Sequence, residues 1–237
     1  LALMLVLAAG PAGASCFDQV FEGAQFSVCT ADAGSDLRMF LNGADGHPYG
    51  GFAPVEAALQ AQGQHLVFAM NAGMFHADQS PVGLYIENRV ERHRIVTRAG
   101  PGNFGLLPNG VFCIGVGLLA VVESRTFAAA PPPCRYASQS GPMLVMGGAL
   151  HPGFLADSTS FKIRNGVGVR ADGGRAWFVL AETPVSFDRF ARFFRDALGA
   201  RDALYFDGSI SRLYAPELGR SGAGFAIGPM VGLVERN

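Results

Sequence analysis

Lysine is almost absent from this sequence. Lys162 is the only one in 237 residues, so arginine carries the rest of the positive charge. The formal net charge is −1 and only 16% of residues are charged, which excludes a basic field for nucleic acid and an acidic tail. With 49% hydrophobic residues, the low charge also excludes a disordered chain and supplies a core. No apolar run reaches the ~20 residues that span a bilayer. No C-x-x-C occurs, which argues against a zinc ribbon or a thioredoxin-like motif. There is no G-x-S-x-G elbow, because Ser209 and Ser211 stand in Gly208-Ser209-Ile210-Ser211-Arg212. The five histidines are scattered without metal-ligand spacing. Gly115-Val116-Gly117 and Gly166-Val167-Gly168 neither complete the dinucleotide fingerprint nor open a helix.

The apolar stretch from Leu1 to Ala9, followed by Gly10-Pro11 and Ala12-Gly13-Ala14, reads as the remnant of a secretory signal over residues 1–14, with the mature chain starting near Ser15. Export to the periplasm or the medium follows, with no transmembrane segment in the mature chain. The four cysteines fit an oxidising compartment. Their spacing favours the local pairs Cys16–Cys29 and Cys113–Cys134, although the sequence leaves other connectivities open.

Strand signals alternate with turns over most of the chain. Gln25–Cys29 and Leu37–Leu41 read as half-buried strands, and Val82–Ile86 and Arg94–Thr97 as strands around the turn Glu87-Asn88-Arg89. Phe104–Leu107 and Val111–Ile114 flank Pro108-Asn109-Gly110, a hairpin signal. Two stretches share an order of helix, glycine, buried strand and polar rim. The first has a helix from Pro54 to Gln62, a strand from His65 to Met70, and then Asn71. The second has a helix from Ser186 to Leu198, capped by Ser186 and stopped at Gly199, a strand from Ala203 to Phe206, and then Asp207. This repetition predicts that Asn71 and Asp207 share one rim. The whole pattern predicts a single α+β domain of mixed, largely antiparallel β-sheets with a few flanking helices.

Four polar loops stand at strand ends: Asn71-Ala72-Gly73-Met74-Phe75, Gln139-Ser140-Gly141-Pro142, Arg164-Asn165-Gly166-Val167-Gly168 and Asp207-Gly208-Ser209-Ile210-Ser211. Each joins a side chain able to bond a sugar or phosphate to a glycine that lets backbone come close. Arg164 is a natural anion fork, Asn71 and Gln139 offer amides to hydroxyls, and Asp207 offers a base or nucleophile. A Ser140, His76 and Asp207 triad is a weaker option. Glu182 and Asp172 are candidate second carboxylates.

These loops resemble the phosphodiester glycosidase family, in its exported bacterial branch. The family pattern of N-G-x-F-F, Q-x-x-P, R-x-x-x-G and D-G-G-x-S is matched by Asn71 with Gly73 and Phe75, Gln139 with Pro142, Arg164 with Gly168, and Asp207 with Gly208 and Ser211. The resemblance covers roughly Phe68 to Arg212. It departs at Ser209, where the family has a second glycine, and at Met74, which replaces an aromatic. It implies a phosphodiester glycosidase-like domain over residues 15–237 that cleaves a sugar 1-phosphodiester in a glycan, envelope or exopolysaccharide component. Asp207, Arg164 and Asn71 are then the catalytic candidates. Gly73, Phe75, Gln139, Gly141, Asn165, Gly168, Gly208, Ser209 and Ser211 line the substrate. No metal or cofactor is required, although a calcium ion near Asp207 is compatible with its oxygen neighbours. The partner is a carbohydrate or sugar phosphate, not nucleic acid. The alternative is a non-catalytic glycan-binding or exopolysaccharide-assembly protein on the same fold.

Overall fold

The protein is described by a computed structural model covering residues 15–208 and 210–237. The signal-like residues 1–14 and Ser209 lie outside the described residues.

The chain opens with a hairpin of β1 (Cys16–Phe21) and β2 (Ala24–Asp32), then β3 (Leu37–Phe40), α1 (Phe52–Gln60) and β4 (Gln64–Asn71). A second group follows: β5 (Tyr85–Glu87), β6 (Val90–His93), β7 (Gly110–Gly115), β8 (Leu118–Glu123), α2 (Ser124–Ala129) and β9 (Cys134–Ser140). The remainder comprises β10 (Met143–Met146), β11 (Ala149–Leu150), β12 (Asn165–Val169), β13 (Arg175–Ala181), α3 (Phe187–Arg192), β14 (Asp202–Asp207), β15 (Leu213–Ala215), β16 (Arg220–Ser221) and β17 (Met230–Arg236). Among the described residues these strands form three sheets, ordered β1-β2-β13-β12-β14-β10-β11, β16-β15-β4-β17-β3 and β6-β5-β9-β7-β8. Every pairing between them is antiparallel. The α+β fold of antiparallel sheets with few helices is the one the sequence predicts.

The three sheets meet on phenylalanine. Phe178 of the seven-stranded sheet lies 5.2 Å from Phe68 on β4 and 5.7 Å from Phe112 on β7, and Phe112 lies 6.3 Å from Phe206 on β14. Strand period two sends Leu204 and Phe206 into this centre. It sends Ala203 and Tyr205 to the opposite face, which α3 and the turn after it cover with Phe190, Phe193 and Phe194. Burial on both faces explains why β14 reads as an unbroken apolar run. On the second sheet, Phe52, Val55 and Leu59 of α1 pack on Leu66, Ala69, Met230 and Val234.

Both expected disulfides are present. Cys16 and Cys29 face each other across the first hairpin, and Cys113 on β7 joins Cys134 at the start of β9.

Several element boundaries differ from expectation. The helix expected from Ser186 to Leu198 holds α-geometry only over α3, where Ser186 Oγ accepts from the Arg189 amide. It then widens into a π-type turn over Phe193–Ala197, closed by Leu198 N donating to Phe193 O. The wider turn accompanies complete burial of both Phe193 and Phe194, and Phe193 stacks on Phe26 at 3.9 Å. The expected hairpin around Pro108-Asn109-Gly110 does not form. Asn109 is buried with its side chain donating to Phe104 O, and β7 turns instead through Val116-Gly117 into β8. The strand expected over Arg94–Thr97 sits earlier, as β6, because Asn88 and Arg89 both take positive φ and close a tight hairpin with β5.

Candidate active site

The expected shared rim of Asn71 and Asp207 exists, although the two residues end strands in different sheets. Asn165, fully buried at the start of β12, joins them. Its Nδ2 donates to the carbonyl and to Oδ1 of Asn71, both at 2.9 Å, and its Oδ1 accepts from the Asp207 amide at 3.0 Å. Asn71 Oδ1 also accepts from the Arg212 amide at 2.9 Å. Asp207 Oδ1 accepts from the Gly208 amide at 2.6 Å, and the Ser211 hydroxyl donates to the Asp207 carbonyl at 3.0 Å. Asp207 is thus held half-buried at the end of β14, its carboxylate by the Gly208 amide of its own loop and its backbone amide by the buried Asn165. Two neutral amides suit this place because each offers donors and acceptors without a charge to desolvate.

Beside this rim lies a cavity of about 480 Å³, lined by Asn103, Lys162, Ile163, Tyr205, Gly208 and Ser211. Gly208 fits there for lack of a side chain: a Cβ would stand 2.2 Å from the Tyr205 hydroxyl and 3.1 Å from the Ile163 carbonyl. Burial pushes the Tyr205 phenol up to about 12, with the nearby Asp207 charge adding to the rise while Arg164 and Asn103 oppose it. A larger concavity of about 660 Å³ runs between Leu41, Pro48, Gln79, Glu87 and His93. It contains no residue of the acidic loop, whereas Gly208 and Ser211 of that loop line the smaller cavity.

Other expected site residues turn inward. Arg164, expected to face a phosphate, is 1% exposed. Its Nε donates to Val185 O at 2.9 Å, its Nη2 donates to Ser160 O at 3.1 Å, and its guanidinium lies 3.6 Å over the Phe187 ring. The guanidinium therefore sits behind the cavity wall and has no open surface for a ligand. Gln139, expected to grip sugar hydroxyls, is also 1% exposed. Its Oε1 accepts from the amides of Leu84 and Val96, and its Nε2 donates to Val96 O and Ser124 Oγ. That set uses the side chain to fasten residues 84–96 and α2 to β9.

Gly168 is not a site glycine: a Cβ would stand 2.5 Å from the Phe194 ring, so it makes room for the helical layer. Gly141 packs against Asn109 and precedes a cis peptide bond to Pro142. Gly73 takes φ +147°, which brings the loop after β4 against Ser138, whose hydroxyl donates to Ala72 O. Phe75 is half-buried beside the α1 cluster, with Tyr49 and Ile210 packed against the same cluster. The triad of Ser140, His76 and Asp207 does not assemble: the buried Ser140 hydroxyl donates to Phe206 O, and His76 is exposed on the turn to Ser80. Glu182 bonds Ser27 and Arg220, and Asp172 pairs with Arg170. Neither stands at the rim. Among the described residues no group of three or more His, Cys, Asp or Glu side chains is arranged to hold a metal.

Sequence reasoning passed over Lys162, Asn103, Tyr205 and Arg212. The signal for Lys162 was its uniqueness. Tyr205 was hidden as one more aromatic in an apolar run. Arg212 holds the rim from the other side: its side chain donates to the carbonyls of Gly222 and Phe225 and lies 5.3 Å from the Phe52 ring centre.

The family described as phosphodiester glycosidase matches residues 64–225, and the chain belongs to that family. It is 34% identical over 178 residues to the Escherichia coli (strain K12) protein named "Uncharacterized protein YigE", covering 75% of this chain and 69% of that one. Two solved structures share the fold. The zebrafish N-acetylglucosamine-1-phosphodiester alpha-N-acetylglucosaminidase catalytic domain, auto-inhibited by its pro-peptide, has a TM-score of 0.64 at 14% identity, covering 97% of this chain and 85% of that chain. A hypothetical protein from Synechocystis has a TM-score of 0.60 at 16% identity; the match covers 94% of this chain and 62% of that chain's length. Among the described residues no helix is long and apolar enough to cross a membrane.

Proposed function

We propose that the protein is an exported hydrolase that cleaves a sugar 1-phosphodiester, with Asp207 as the reacting carboxylate. The observation that carries this reading is the fixed placement of Asp207 at the end of β14, tied through Asn165 to Asn71 and followed by Gly208, which lines an open cavity together with Lys162. Membership of the phosphodiester glycosidase family supports the reaction type. The two disulfides support an oxidising location such as the periplasm or the medium.

Breaking the bond between the anomeric carbon and the phosphate oxygen expels a phosphate monoester, which leaves without prior protonation. One carboxylate then suffices, in contrast to the acid and base pair of ordinary glycosidases. Asp207 either attacks the anomeric carbon or takes the proton of the attacking water. The first route releases sugar with retained configuration after a second displacement, the second with inverted configuration. Ser211 and the Gly208 amide hold the acidic loop in place for either. The reading invokes no cofactor.

Purified protein with both disulfides intact is to be offered a panel of sugar 1-phosphodiesters beside Asp207→Asn. Release of free sugar by the wild type, lost in the folded variant, is the expected result, and the anomer released identifies the route. Saturable glycan binding that survives Asp207→Asn, without sugar release, would replace the hydrolase with a glycan-binding or exopolysaccharide-assembly protein.

A further inference from the structure

Arg164 presents a physical problem. A guanidinium stays cationic in any protein setting, and burial only pulls its pKa down from the usual high value. Here it is 1% exposed, its hydrogen-bond partners are two carbonyls, and it lies over the Phe187 ring and 5.6 Å from the Tyr205 ring centre. None of these partners is anionic. A buried cation held by neutral groups costs several kcal/mol against the same group in water. Such a charge is worth keeping where an anion arrives nearby in the working state.

Tyr205 links this charge to the cavity. The Arg164 guanidinium lies 5.6 Å from the centre of the Tyr205 ring, and Tyr205 lines the cavity. On the same wall stands Lys162, the one lysine of the sequence. Its backbone is fixed by reciprocal bonds with Val185: Lys162 N donates to Val185 O at 3.1 Å and Val185 N donates to Lys162 O at 2.9 Å. Val185 O also accepts from Arg164 Nε, so one residue anchors both cations. Ser211 adds a hydroxyl from the acidic loop. The cavity therefore offers an ammonium, a phenol and a serine hydroxyl, with a second positive charge behind Tyr205. That donor set suits a tetrahedral oxyanion better than a neutral sugar ring.

We propose that this cavity holds the phosphate group of the substrate, with Lys162 and the Tyr205 hydroxyl as its direct ligands in front of the buried Arg164 charge. The assignment rests on the reading of Asp207 as the reacting carboxylate only for the substrate's orientation; the anion site itself is independent of turnover. It transfers to Lys162 and Tyr205 the contact that Arg164 is too buried to make.

The test is titration of the full chain, disulfides intact, with inorganic phosphate at constant ionic strength set by chloride, read from the amide resonances of Gly208 and Ser211. Saturable shifts are expected in the wild type. Lys162→Gln should weaken binding about tenfold, Lys162→Arg should keep it within about threefold, and Tyr205→Phe should weaken it about fivefold. Unshifted Gly208 and Ser211 amides, or equal affinity in Lys162→Gln, would overturn the assignment. Phosphate binding as expected without diester hydrolysis would leave the anion site standing and remove the hydrolase reading. Diester hydrolysis with unchanged KM and unchanged inhibition by phosphate in Lys162→Gln would do the reverse.

Discussion

Asn165→Asp tests the rim most sharply, because it keeps the shape and exchanges an amide for a carboxyl. In the wild type the amide nitrogen donates to two Asn71 oxygens at 2.9 Å, and the amide oxygen accepts from Asp207 N. A protonated carboxyl restores one of the two donated bonds, so the variant in that form loses about 1 kcal/mol. An ionised carboxyl donates nothing and sets a charge against two acceptors in a site with no solvent exposure. Both effects raise its folded-state pKa above the unfolded value of about 3.9. The sign follows. Below the unfolded pKa both states are protonated, and the cost stays near the single lost bond. As the pH rises, the unfolded chain ionises while the folded chain must keep its proton, at about 1.4 kcal/mol per pH unit until the folded pKa is reached. At pH 7 this adds up to ~4 kcal/mol, for a total near 5. Against a typical total stability of about 5–15 kcal/mol, such a variant stands near its unfolding threshold at neutral pH and close to the wild type at pH 4. Urea denaturation of wild type, Asn165→Asp and Asn165→Ala across this range, with disulfides intact, measures the difference directly. Asn165→Ala should show a pH-independent loss. A difference between Asn165→Asp and wild type that changes by less than 1 kcal/mol from pH 4 to pH 7 would refute the reasoning, because it would mean that the side chain meets water or a compensating cation.

Gln139→Ala should cost about 2–4 kcal/mol, because four partners lose their bond at once; hydrogen exchange should quicken first at the Leu84 and Val96 amides, and unchanged protection there would count against the clamp. Gly208→Ala should destabilise by about 1–3 kcal/mol through its contact with the Tyr205 hydroxyl. Adding Tyr205→Phe removes the clashing oxygen and should recover part of that loss in thermal unfolding; strictly additive losses would show that the contact is not the cause. Replacing Cys113 and Cys134 together by serine opens a loop of sequence separation 21 and should cost about 3 kcal/mol, read as a fall in urea midpoint with a steeper slope as the unlinked denatured chain expands; an unchanged midpoint would count against it.

The parts of this molecule that were legible in the sequence are those fixed by local pattern. Strand β14 reads as buried on both faces because Leu204 and Phe206 meet the sheet centre while Ala203 and Tyr205 meet the helical layer. The repeated order of helix, glycine, strand and polar residue placed Asn71 and Asp207 on one rim, and the Asn165 bridge is the physical form of that pairing. The direction in which a polar side chain points was not legible. A glutamine that grips a ligand and a glutamine that fastens three segments have the same neighbours in sequence, and the partners that decide the matter for Gln139, Leu84 and Val96, lie 55 and 43 residues away. Arg164 poses the same difficulty with a charge attached: a cation in a glycine-containing loop reads as an open anion fork, and only the packing of Phe187 and Ser160 turns it inward. The consequence for the site is a division of labour. Asn71 and Asn165 build a neutral, bonded backing that fixes where the strands end, whereas Gly208, Ser211, Tyr205 and Lys162 meet the open space. Charge is thereby confined to the ligand side, except at Arg164. Its burial behind Tyr205 adds a positive potential to the cavity without giving up a donor to solvent, which is the arrangement expected where an anion must be held in place while a bond to it breaks.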